Sequence, residues 1–63
     1  MIFEYNEDVE NQILSFMKEK KSDEIAVIAV KNDYEYAKAI EMSNKYAGHI
    51  TIGVMYDGLP ASN

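Results

Sequence analysis

The sequence predicts a small single-domain α/β fold of order β-α-β-α-β. Its three-stranded, mainly parallel sheet has strand order 1-2-3, with strand 25–30 central and both helices on one face. Three observations carry this expectation. Two stretches with apolar residues at helical spacing alternate with short β-rich runs. One of those runs, "IAVIAV" at 25–30, is apolar at every position, as a strand buried on both faces would be. Connections of helix length are what parallel strands require.

The first strand is "IFEY" at 2–5; without it the order is α-β-α-β. From Glu7 to Lys21, Val9, Ile13, Phe16 and Met17 form one helical face, with Glu10, Asn11, Ser15, Lys18 and Glu19 largely opposite. Asn6 or Asp8 caps its start, with acids in the first turn, and Lys18, Lys20 and Lys21 suit its end. Asn32 and Asp33 close the central strand and cap a second helix over 34–47, where Tyr36, Ala37, Ile40 and Ala47 share a face. Gly48 is read as a left-handed C-terminal residue. In "HITIGVMY" at 49–56, Ile50, Ile52, Val54 and Tyr56 alternate with Thr51, Gly53 and Met55, and Gly53 marks a bulge or a close approach of backbones. The domain spans 1–58, and 59–63 form a flexible tail.

In the 1-2-3 order both right-handed crossovers step the same way across the sheet, so both helices cover one face. The other stays open, carrying either Ala26, Ile28 and Val30 or Ile25, Val27 and Ala29. The competing order, with the first strand central, puts one helix on each face. A contiguous apolar patch is seldom left in water, and a chain of 63 residues buries only about 60% of its unfolded surface. A homodimer is therefore expected. Its candidate interface residues are Ile28 and Met55 on the sheet and Met42 and Tyr46 on the second helix, where the apolar arc is wide.

Composition bounds the function. With no cysteine there is neither a disulfide framework nor a thiolate metal site. No basic segment leads into an apolar one near the N-terminus, and no apolar run approaches the roughly 20 residues of a membrane span. A cytoplasmic protein is expected. Eleven acids against six bases give a net charge of −5, which argues against nucleic acid or an anionic membrane as direct ligand and leaves a basic protein as partner.

Catalytic motifs are absent. His49 has no second histidine to share a metal, Gly48, Gly53 and Gly58 are too scattered to cradle phosphate, and no serine sits in a nucleophile-elbow context. No cofactor or metal is expected. The acids are not evenly spread, however, and the strand exits of a parallel sheet gather along its carboxyl edge. Glu4, Glu7, Asp8, Glu10, Asp33 and Asp57 are the candidate acidic rim for a partner. Helix starts and turns call for Asn and Asp in any case, and Glu4 in an edge strand deters unwanted pairing.

The reading that follows is a non-catalytic, homodimeric inhibitor or regulator that occupies a basic surface of another protein, for example the nucleic-acid-binding face of a DNA-binding protein. In size, acidity and lack of catalytic motifs the chain resembles the small inhibitors that phages make to redirect host proteins, some of which mimic DNA. The resemblance is of type, with no shared motif. The alternative is a minimal Mg²⁺-dependent or phosphate-handling module using Asp8, Asp33 and Asp57.

Overall fold

A computed structural model describes residues 1–21 and 23–57. They form β1 (Ile2–Glu4), α1 (Val9–Glu19), β2 (Ala26–Val30), α2 (Asp33–Lys45) and β3 (Ile52–Tyr56). The strands are parallel in the order β1-β2-β3, so the first strand exists and the β-α-β-α-β arrangement holds. The expected tail, 59–63, lies outside the described residues.

Register decides which half of β2 meets the helices. Phe3, Ile28 and Val54 lie side by side, as do Ala26 and Ile52 and, one step further on, Val30 and Tyr56. Ala26, Ile28 and Val30 have no exposed surface, and they share one core with Val9 and Ile13 of α1 and Ala39 and Met42 of α2. Both helices therefore cover this face. Complete burial of Ile13, Ile28 and Val30 contributes about 1.5–3 kcal/mol each. Phe3 meets Phe16 edge to face at 5.6 Å, tying α1 to the edge strand, and Ser43 Oγ donates to the Ile52 carbonyl at 2.9 Å, tying α2 to β3.

The opposite face carries Ile2, Val27 and Gly53 in one row and Glu4, Ala29 and Met55 in the next, with no helix above them. Ile25, just before β2, has the same parity. Of the two sets considered for the open face, the one holding Ile25, Val27 and Ala29 is found there. Ile28 and Met42, expected at an interface, instead lie in the core at 0% and 8% exposure. The cause is pairing: Ile28 has Phe3 and Val54 beside it under the helices, and the stagger of α2 turns Met42 inward with Ala39.

Local chemistry explains the element ends. Asn32 Oδ1 accepts from the Glu35 N–H, and Glu35 Oε1 accepts from the Lys31 N–H, both at 2.9 Å, so α2 starts on a reciprocal cap. The start of α1 differs. Asp8 occupies the cap position without capping a backbone amide; its side chain accepts from Asn11 Nδ2, while Asn6 Oδ1 accepts from the Asp8 N–H at 2.7 Å. Of the two cap candidates, Asp8 holds the position and α1 starts at Val9, with Asn6 forming a side-chain turn before it.

Two glycine expectations are corrected. Gly48 is not left-handed: α2 ends at Lys45, and the carbonyl of its C-cap residue Tyr46 accepts from the N–H groups of both His49 and Ile50, so the turn closes without an αL residue. Gly53 forms no bulge, since the β2–β3 register runs unbroken from Ala26 beside Ile52 to Val30 beside Tyr56.

Candidate functional site

All three strands point their carboxyl ends the same way, and the connections leaving them form one edge of the molecule. Four of the five tyrosines belong to these exits: Tyr5 after β1, Tyr34 and Tyr36 in the first turn of α2, and Tyr56 at the end of β3. Tyr34, Tyr36 and Tyr56 are 66%, 40% and 49% exposed. The rings of Tyr36 and Tyr56 stack with centroids 5.5 Å apart and planes 7° from parallel. The Tyr56 hydroxyl donates to Asp33 Oδ1 at 2.6 Å, and this bond, more than partial burial, raises the Tyr56 pKa above its ordinary value.

The six acids of the expected rim do not form a single cluster. Asp33 is held against Tyr56, and Asp57 extends the sheet ladder by donating its N–H to the Val30 carbonyl at 2.7 Å. Asp8 is engaged by Asn11, and Glu7 is exposed in the β1–α1 connection. Glu4 lies in the open-face row, beside Ala29. Glu10 reaches away from the edge to the last turn of α2. There it pairs with Lys45 Nζ at 2.8 Å and accepts a short hydrogen bond from the Tyr46 hydroxyl. These two bonds, the lysine's first, hold the Glu10 carboxyl below the usual range, and the same contacts raise Lys45 and Tyr46. Tyr46, expected at an interface, is thus half-buried and occupied within the chain.

Between the β1–α1 connection and α2 opens a cleft of about 370 Å³. Val9 and Met42 belong to its lining and to the core; Tyr5, Asn6, Glu7, Glu10, Tyr34, Lys38 and Glu41 complete it. Lys38 Nζ stands 5.7 Å from the centre of the Tyr34 ring. Burial is the largest influence raising the Tyr5 phenol; Tyr34, Glu35 and Glu41 add to it and Lys38 opposes it. A smaller cleft of about 260 Å³ lies at the amino edge, where His49 is exposed beside Asp23 and Glu24.

Among the described residues, no three His, Asp or Glu side chains come together in a way that could hold a metal ion, so Asp8, Asp33 and Asp57 do not form one cluster. No helix among them is long and apolar enough to cross a membrane. No protein-family model, curated protein or solved structure matches the chain.

The tyrosines were missed by a reading that followed charge. The signal was present: each strand exit, "YNED", "DYEY" and "YDG", carries a tyrosine beside its acids. Exposed phenols next to carboxylates can stack on planar or cationic groups and donate or accept hydrogen bonds.

Proposed function

We propose that this chain is a non-catalytic binding protein, a homodimeric inhibitor or regulator that uses its carboxyl edge to occupy a basic surface of another protein, such as the nucleic-acid-binding face of a DNA-binding protein. The observation that carries the reading is the exposure of Tyr34, Tyr36 and Tyr56 on an edge that also holds Glu7, Asp33 and Asp57. Tyrosine is enriched at protein interfaces, and a net charge of −5 favours a basic partner and speeds its approach. An absence of cysteine suits action in the cytoplasm.

The dimer in this proposal uses the open sheet face. Ile2, Ile25 and Met55 are 64%, 47% and 43% exposed around a floor of Val27, Ala29 and Gly53. Glycine at 53 answers no need of the chain itself. Its backbone is not left-handed, and an added Cβ would meet Val27 Cγ2 at an ordinary 3.7 Å. A second copy packed closely on that floor would give Gly53 a reason.

The test is retention of proteins from a lysate on the immobilised chain, read against a Tyr34→Ala, Asp33→Asn variant. Enrichment of basic proteins at low salt that the variant loses supports the edge. Equal retention by both forms, or none, overturns it. Light scattering on the eluting protein tests the dimer half, which a strict monomer at high concentration removes.

A further inference from the structure

We infer that the cleft between the β1–α1 connection and α2 receives an arginine side chain of the basic partner, an inference that rests on the binding function proposed above. The lining offers each part of that side chain a suitable contact. Val9 and Met42 close the base of the cleft with apolar atoms, and Tyr5 and Tyr34 provide the ring surface on which an aliphatic stem can lie. Glu7 and Glu41 are exposed carboxylates at the mouth with no ion-pair partner among the described residues, whereas Glu10 is already bound to Lys45 and Tyr46.

A cation already tests one of these surfaces. Lys38 holds its ammonium over the Tyr34 ring from one helical turn away, so the ring presents a face to positive charge inside the cleft. An anionic guest would meet Glu7 and Glu41 against Lys38, with Glu10 already held by Lys45. Arginine suits the site better than lysine because a planar guanidinium can stack on a phenol ring and engage a carboxylate with two parallel hydrogen bonds at the same time. The volume, about 370 Å³, falls near the lower end of the roughly 300–1,000 Å³ of small-ligand pockets. Lys38, on a flexible stem, is the internal competitor that the guest displaces.

The experiment titrates the full isotope-labelled chain with acetyl-Gly-Arg-Gly-amide and follows the ring protons of Tyr5 and Tyr34. Saturable shifts at both rings are expected, roughly twofold to fivefold weaker in Glu41→Gln and in Glu7→Gln, and tighter in Lys38→Ala. These positions lie outside the core, so the variants keep the fold, which the unchanged Ile13 and Ile28 methyl signals report. The matching citrulline peptide keeps the shape without the charge and should leave both rings unmoved. Equal shifts with citrulline, equal binding of the lysine peptide, or shifts centred away from Tyr5 and Tyr34 overturn the inference. A chain that retains basic proteins while these rings stay still loses the cleft and keeps the binding function. A chain that takes the peptide but retains no protein loses the function and keeps the cleft.

Discussion

The open sheet face and the carboxyl edge both expose large side chains, but of different chemistry. On the face these are the apolar Ile2, Ile25 and Met55; on the edge they are Tyr34, Tyr36 and Tyr56, among carboxylates and capped amides. An aliphatic surface gains chiefly by leaving water, an effect that is non-directional and little weakened by salt. A phenol and carboxylate surface gains by geometry and charge, which salt screens. One small chain thus carries two surfaces whose interactions answer to different solution conditions.

The largest expected effect comes from placing charge on the face. Ile25→Glu with Met55→Glu would set like charges against each other across the proposed two-fold contact and should raise the dissociation constant of the proposed dimer at least about 100-fold, while retention of basic partners persists. Sedimentation velocity reads the first and lysate retention the second. Loss of both together would mean that the two surfaces are not separate. Next, 1 M NaCl shortens the Debye length to about 3 Å and should cut partner retention by about tenfold while the dimer persists. A dimer that dissociates as readily as the partner breaks the contrast.

Within the edge, Asn32→Ala removes the carboxamide that holds the Glu35 N–H and should cost about 1 kcal/mol, lowering Tm by about 4–8 °C. Asp8→Ala should cost less, because the Asp8 side chain caps no backbone amide. Calorimetry that ranks them the other way would contradict the assigned caps. The smallest effects are titrations. Tyr5, Tyr46 and Tyr56 are all raised, so near-ultraviolet absorbance should show them ionising above the ordinary value of about 10. Their folded values lie above the unfolded one. The stability they contribute is therefore complete below about pH 10 and is lost as pH rises through the folded values. Glu10 has the opposite sign: its contribution is present above the ordinary carboxylate range and fades as pH falls through its lowered value.

Much of the fold was legible because few arrangements satisfy "IAVIAV" between two amphipathic helices. Its apolarity on both sides marked the central strand, and handed crossovers placed the helices. Which side the helices cover was not legible from β2 alone, since Ile25, Val27 and Ala29 are as apolar as Ala26, Ile28 and Val30. The distinction lies in register, which sets Phe3 and Val54 beside Ile28 but Glu4 and Met55 beside Ala29. Grouping Ile28 with Met55 as one interface mixed the two faces. Likewise, Glu10 looked like a rim acid by sequence position, but α1 carries it to Lys45 and Tyr46, thirty-five and thirty-six residues away. Gly48 misled because a helix-ending glycine need not turn left-handed when the preceding carbonyls find amides without it.

The one-sided placement of the helices bears on valency. If two copies meet through their open faces, the layers run helix, sheet, sheet, helix, and each cleft between the β1–α1 connection and α2 is carried on the outer side. Such a particle has two equivalent grips. Against a partner with repeated basic surfaces, the second contact forms at the high effective concentration set by the first, so a weak single engagement becomes a slow-releasing pair. A sheet with one helix on each face would offer no such doubling through sheet stacking.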